Sequence, residues 1–111
     1  MQIYDIEQAA ESVADLLKLL STPNRLLILC HLTESEQCVG DLCDLVGMKP
    51  PAMSQQLKIL RTEGLLSSRR DGQTIFYSIA DENVKKLMAF LYETYCKEPV
   101  KRRKRGLTTN A

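Results

Sequence analysis

The chain has 111 residues, of which 44% are hydrophobic and 26% are charged, an ordinary globular composition with enough length for one modest core. It contains no apolar run of about 18 residues, which excludes a membrane-spanning helix. Its acidic start lacks the basic segment of a secretory signal. We therefore expect a cytoplasmic protein whose four cysteines are thiols, since structural disulfides are rare in that compartment.

The net charge of +1 is unevenly distributed. Residues 1–100 carry ten lysines and arginines against fourteen acidic residues, whereas residues 101–105, KRRKR, add five positive charges. An acidic body argues against broad affinity for DNA, so any DNA site must be a local basic surface. We predict one domain over residues 1–98 and a basic, disordered tail over residues 99–111, with an electrostatic arm for DNA or RNA as the alternative for the tail.

Hydrophobic periodicity predicts helices throughout the first half of the chain. Apolar residues recur with helical spacing over residues 5–20. Thr22, followed by a proline, is a typical cap for a second helix over residues 23–32. A third, short helix is predicted over residues 39–46, and Gly47 fits its end.

The next helix is predicted to begin at Pro50 and to carry its apolar residues on one face. Met53, Leu57 and Leu60 recur at i, i+4 and i+7, and Gly64 fits a helix stop. Polar side chains off this stripe are then free to face outward. They are Ser54, Gln55, Gln56 and Lys58.

A hairpin and a final helix complete the predicted architecture. Strand-like runs at residues 66–69 and 74–79 flank Asp71-Gly72, a typical two-residue turn. An apolar helical stripe then continues to Glu98-Pro99. This order is that of a mainly α winged helix-turn-helix with a small β-hairpin (ααααββα). The first and last helices have more apolar surface than so small a domain can cover, which predicts a homodimer formed through them.

Three segments resemble the ArsR/SmtB family of bacterial repressors. They are LSTPNRLLILCHL at 20–32, VGDLCDLVGMKPPAMSQQLKILRTEGLL at 39–66 and RRDGQTIFYSI at 69–79. The sequence SQQL at 54–57 is similar to the family's recognition segment. The resemblance implies a homodimer that binds an inverted repeat in double-stranded DNA and releases it when an inducer binds. The sequence has no catalytic triad or Gly-rich phosphate loop, so an enzyme is not expected.

A winged helix of this kind reads DNA through its recognition helix and its hairpin. We expect Ser54, Gln55 and Gln56 to face base edges, since glutamine pairs with adenine. Basic side chains would contact phosphates or groove edges and set the register. They are Lys49, Lys58, Arg69 and Arg70.

The zinc-type site of the family resembles Asp-x-His followed by His-x-x-Glu on the last helices. Here Asp81 is present, but Asn83, Thr94 and Lys97 occupy the other places. Neutral Asn and Thr are poor zinc ligands and a cationic Lys is none. This metal site is therefore absent, and no cofactor is expected.

A second candidate is the metalloid or soft-metal site, which resembles Cys-Val-Cys-Asp-Leu-Cys in the family. Here Cys38 and Cys43 flank Gly40, and the middle thiolate is missing. Thiolates suit soft ions, but residues five apart lie about 140° apart around an α-helix, so the two share a face only if Cys38 lies in the loop. Cys38 and Cys43 form the alternative metal site, beside a role as small apolar fillers.

The third candidate is a redox pair, Cys30 and Cys96. Both positions, with the aromatic-rich approach LYETY to the second, resemble the persulfide-responsive BigR/SqrR subgroup of the family. That likeness implies that the two thiols lie close together in one protomer, where reactive sulfur or oxidation links them by a disulfide or a short polysulfide. Cys30 also suits a buried core position, whereas Cys96 ends an exposed helix. We therefore expect a repressor that reactive sulfur releases from DNA through this pair.

Overall fold

The computed structural model describes residues 2–96, and its elements follow the predicted order with one additional strand and a different final turn. In chain order they are α1 (Ile3–Leu19), α2 (Pro23–Glu34), β1 (Gln37–Cys38), α3 (Val39–Val46), α4 (Pro50–Thr62), β2 (Leu66–Asp71), β3 (Thr74–Ile79), α5 (Glu82–Leu91) and a π-helical turn (Tyr92–Cys96). The mainly α winged helix-turn-helix is confirmed. The predicted tail over residues 99–111 lies outside the described residues.

Local signals set most helix boundaries. Thr22 Oγ1 accepts a hydrogen bond from the Arg25 backbone N–H at 3.3 Å, which confirms the predicted cap of α2. Gly47 and Gly64, at the ends of α3 and α4, have φ angles of 83° and 86°, a left-handed backbone that glycine adopts without a Cβ penalty. None of the helices within residues 2–96 is long and apolar enough to cross a bilayer.

The hydrophobic core lies between α2, α3, α4, α5 and the sheet. The predicted stripe of α4 is confirmed, because Met53, Leu57 and Leu60 are fully buried. Side chains from three other helices surround it: Ile28, Leu29, Leu42, Val84 and Met88. Burial of each such side chain is worth about 1.5–3 kcal/mol, so the core holds α4 firmly and turns its opposite face to solvent.

The sheet has three antiparallel strands, not the two of the predicted hairpin, in the order β1-β3-β2. β1 pairs with β3, where Cys38 lies opposite Phe76. Two residues are too few to show the alternation that identifies a strand in a sequence. Asp71 pairs with Thr74 in the ladder, so the hairpin loop is residues 72–73, one residue later than predicted.

The terminal segments also differ from expectation. α5 ends at Leu91 and passes into the π-helical turn, instead of the single helix to residue 98 that the apolar stripe predicts. α1 is helical as predicted, but none of its residues is buried. Leu16 and Leu19 pack partly against the core, whereas five other large apolar side chains of α1 are between 47% and 68% exposed. They are Ile3, Tyr4, Ile6, Val13 and Leu17.

Candidate DNA-binding surface and cysteine pair

α4 presents a row of exposed side chains opposite its buried stripe. Residues spaced i, i+4, i+7 and i+11 share one helix face. On the outer face these are Pro51, Gln55, Lys58 and Thr62, all exposed. Ser54 is exposed beside them, so Ser54, Gln55 and Lys58 have the outward positions expected of them. Pro51 and Thr62 are additional members, and their spacing from Gln55 is the signal in the sequence that identifies them.

Gln56 differs from the expected outward orientation. Its side chain is half-buried, and its Oε1 accepts a hydrogen bond from Arg25 Nε at 2.7 Å. Position 56 neighbours the buried Met53 and Leu60 on the helix surface, so it lies at the edge of the core stripe. The carbonyl oxygen of Gln56 therefore faces α2. Arg25 is not among the functional residues predicted from the sequence. Its one signal in the sequence is that it is a charged residue in a largely apolar helix.

Two lysines place positive charge along α4. Lys49 is exposed at the N-cap position, where the positive end of the helix dipole adds to its charge. Lys58 is exposed on the same outer face as Gln55. Both lysines are suited to contact phosphate oxygens on either side of a DNA groove, since charged side chains and helix N-termini are common phosphate ligands.

The two arginines of the hairpin have different environments. Arg69 Nε donates to both carboxylate oxygens of Glu36 at 3.0 Å, and its guanidinium lies 4.8 Å from the Phe76 ring centroid. The hydrogen bond from Arg69 lowers the pKa of the Glu36 carboxyl. Successive residues of a strand face opposite sides, so Arg70 lies on the other side of β2, and no ion pair to it occurs within residues 2–96. Within the described residues, Arg70 is therefore the hairpin arginine whose charge is available to a phosphate, while Glu36 already balances the charge of Arg69.

Cys30 lies on α2 and packs partly against the core. Burial raises the pKa of the Cys30 thiol, and the charge of Cys96 raises that pKa further. α2 packs against α5, so the helix that carries Cys30 lies beside the helix that leads into the turn with Cys96. Both cysteines are free thiols in this structure.

The π-helical turn orients Cys96. Hydrogen bonds in a π-helix join residues five apart, and Cys96 Sγ donates a long hydrogen bond, 3.9 Å, to the carbonyl oxygen of Leu91. Leu91 packs against the core. In an α-helix, Cys96 would instead stack over the exposed Tyr92. The π turn thus places the exposed Cys96 thiol beside the Leu91 carbonyl instead of over Tyr92.

The two remaining cysteines have different surroundings. Cys38 is half-buried in β1, directly before α3, and Cys43 is 8% exposed within the core. Within residues 2–96, no three His, Cys, Asp or Glu side chains form a group that could hold a metal ion. A soft ion would reach Cys43 only by entering the hydrophobic core.

Comparison with known proteins relates this fold to a family of regulators. Residues 22–68, which include α2, α3 and α4, match the family described as "Bacterial regulatory protein, arsR family". A "Biofilm growth-associated repressor" from Xylella fastidiosa is 41% identical over 92 residues, which cover 83% of this chain and 81% of that protein.

Solved structures give the same relationship. The transcriptional repressor BigR from Xylella fastidiosa matches with a TM-score of 0.82 at 40% identity, over 88% of this chain and all of that one. The homodimeric winged helix-turn-helix domain Mb0332 from Mycobacterium bovis, a possible ArsR-family transcriptional regulator, matches with a TM-score of 0.70 at 33% identity, over 81% and 84% of the two chains. These relatives are transcriptional regulators and not enzymes. The chain belongs to the ArsR family of bacterial regulatory proteins.

Proposed function

We propose that this chain is a homodimeric, DNA-binding repressor that reactive sulfur or oxidation releases from its operator through a switch formed by Cys30 and Cys96. The observation that carries the switch is that α2, which bears Cys30, packs against α5, whose π-helical extension places the Cys96 thiol beside the Leu91 carbonyl. Family membership and the relatives named as repressors support the repressor role. Such a protein acts on bacterial DNA and therefore in the cytoplasm.

The uncovered apolar faces of the terminal segments support the homodimer. α1 has no buried residue, and near the C-terminal end of the described residues Phe90, Tyr92 and Tyr95 are 53% to 71% exposed. Contact between two copies of the chain would remove the apolar face of α1 and these aromatic side chains from water. A two-fold dimer presents two copies of α4 about 34 Å apart, one helical turn of DNA, and so binds an inverted repeat in double-stranded DNA.

The accessible Cys96 reacts first in the proposed chemistry. Its thiolate attacks the outer sulfur of a persulfide, R–S–SH, and R–SH leaves, so Cys96 becomes a persulfide. The Cys30 thiolate then attacks the Cys96 sulfur and expels hydrogen sulfide. Two thiols are oxidised to one disulfide while the sulfane sulfur is reduced to sulfide. Because the pKa of Cys30 is raised, bridge closure is expected to accelerate as the pH rises.

The bridge would tie α2 to the π-helical turn. That turn adjoins the exposed aromatic residues assigned to the dimer contact, so a new constraint there would change how the two protomers sit together. The two α4 helices would then lose the spacing that fits the operator. A coupling of about 1–3 kcal/mol between the two sites is typical of such systems.

Cysteine substitutions test the switch in the full-length protein. Cys30→Ser and Cys96→Ser should bind operator normally when reduced and should fail to leave it after treatment with an inorganic polysulfide. Cys38→Ser is the matched control at a half-buried thiol and should respond like wild type. Operator binding can be followed by fluorescence anisotropy and the bridge by intact mass.

The alternative switch, a metalloid or soft metal bound by Cys38 and Cys43, gives the opposite pattern. In that case Cys38→Ser would abolish induction and Cys96→Ser would keep it. Titration with a trivalent arsenical, followed at the thiolate charge-transfer absorbance, would then report binding in the Cys96→Ser variant. That outcome would replace the proposed switch.

A further inference from the structure

Arg25 reaches two other helices from the first turn of α2. Its Nε donates to Gln56 Oε1 on α4 at 2.7 Å, and its Nη1 donates to the backbone carbonyl of Leu19, at the end of α1, at 3.3 Å. Both contacts are partly buried, and hydrogen bonds from a charged donor are stronger than neutral ones. One side chain thus links α2 directly to the recognition helix and to α1.

The contact with Arg25 decides which way the Gln56 amide points. A guanidinium only donates hydrogen bonds, so the oxygen of Gln56 faces Arg25 and its NH₂ group points away. A glutamine that pairs with adenine needs its oxygen and its nitrogen together on the base edge. While Arg25 holds the oxygen, only the N–H groups of Gln56 are left to pair with DNA, and they suit guanine O6 or N7, thymine O4 or a phosphate oxygen.

Arg25 also precedes Cys30 by five residues on the same helix. Over so short a distance a helix moves nearly as a rigid body, so a displacement of Cys30 carries Arg25 with it. We propose that Arg25 is a positioning residue, which holds Gln56 as an N–H donor toward DNA and transmits movement of α2 to the recognition helix. The transmission rests on the proposed Cys30–Cys96 switch, whereas the positioning of Gln56 does not.

A double-mutant cycle in the reduced, full-length protein tests the positioning. Arg25→Met and Gln56→Ala should each weaken operator binding about tenfold, and the double variant should be no weaker than the weaker single variant. Arg25→Lys keeps the charge but not the planar fork, so it should behave like Arg25→Met. Arg61→Met, at the other end of α4, is the control and should be additive with Gln56→Ala.

Two results would overturn the positioning role. One is additive losses for Arg25→Met and Gln56→Ala. The other is full rescue by Arg25→Lys, which would indicate a phosphate contact made by charge alone. Gln56→Glu provides a second variant, since its carboxylate still accepts from Arg25 but has no N–H. Its preference for operator over random DNA should fall as in Gln56→Ala, and a retained preference would contradict the donor role.

Mass spectrometry separates failure of this inference from failure of the thiol switch. After treatment with inorganic polysulfide, Arg25→Met should still form the Cys30–Cys96 bridge. Its operator affinity should then fall several-fold less than the operator affinity of wild type. An undiminished fall would overturn transmission through Arg25. Wild-type protein that forms the bridge and remains on the operator would refute the switch, while the cycle in reduced protein would still decide how Gln56 is positioned.

Discussion

The recognition helix and the first helix of this protein place the same kind of apolar stripe in opposite environments. In α4 the stripe is fully buried, including Leu57, whereas in α1 no residue is buried and Leu17 is 52% exposed. Both helices have amphipathic periodicity, so the difference lies in what packs against them. The apolar face of α4, the helix proposed to read DNA, is covered completely within one protomer. Under the proposed homodimer, α1 is completed by a second copy.

Truncation of a core side chain in α4 should have the largest effect, and it should act on the free energy of unfolding. Leu57→Ala should lower the free energy of unfolding by about 2–5 kcal/mol, because it leaves a cavity in a closely packed core. Leu17→Ala should act differently, since it weakens association. In wild type the unfolding midpoint should rise with protein concentration, and in Leu17→Ala this rise should be smaller.

Urea denaturation at two protein concentrations measures both effects. A wild-type midpoint that is independent of concentration would contradict the dimer, and a loss well below 2 kcal/mol in Leu57→Ala would contradict a closely packed recognition unit. Ser12→Ala, at an exposed position of α1, is the control and should leave both midpoints near those of wild type.

The outer face of α4 is expected to read DNA bases, in contrast to its buried apolar face. Gln55 is exposed opposite the buried stripe, so Gln55→Ala should cost about 1–3 kcal/mol on operator DNA and relax preference at one base position. Binding to random DNA should change little. Competition anisotropy with single-base operator variants measures this, and equal losses on operator and random DNA would refute direct reading by Gln55.

Moving one thiol by a single residue tests the π-helical turn. In the structure, position 96 stacks over Leu91, whereas in an α-helix position 95 would do so. The double variant Tyr95→Cys/Cys96→Ser should therefore form a bridge to Cys30 at least about tenfold more slowly than wild type, a cost in activation free energy of about 1.4 kcal/mol. Timed alkylation with intact mass follows the reaction. A rate in the variant equal to or above that of wild type would contradict the role of the π-helical turn in orienting Cys96.

The Glu36–Arg69 pair should give the smallest effect. Glu36→Gln frees the charge of Arg69, so DNA binding should tighten slightly and the slope of log affinity against log salt should steepen by up to about 0.9. The pKa of Glu36 is lowered, so the pair forms above the ordinary carboxyl pKa and is lost as the pH falls through the lowered value. Anisotropy titrations at several salt concentrations measure the slope, with Glu63→Gln as the control. An unchanged slope in Glu36→Gln would contradict the view that Glu36 keeps Arg69 from contributing to DNA binding.

Features encoded by neighbouring residues could be predicted from the sequence. Thr22 caps α2 through a backbone N–H three residues away, and Gly47 ends α3 because its backbone is left-handed. The α4 stripe follows from spacing within three helical turns. Caps, turns and periodicity act over a few residues, so the sequence predicts the order of elements and most of their bounds.

Contacts between distant residues could not be predicted in this way. β1 is a strand only because Cys38 pairs with Phe76 of β3. The oxygen of Gln56 faces α2 because Arg25, 31 residues away, donates to it, and Arg69 is paired with Glu36, 33 residues away. No local pattern carries these pairings.

The cysteines combine both kinds of information. The sequence by itself predicts Cys30 and Cys96 as a pair through resemblance to a subgroup of the family, and it predicts that α4 is the recognition helix. Only the tertiary structure decides that α2, which carries Cys30, packs against α5 and that a π-helical turn orients the second thiol. The physical reason is that electrostatic and packing forces depend on distance in space, which the spacing of residues along the chain does not specify.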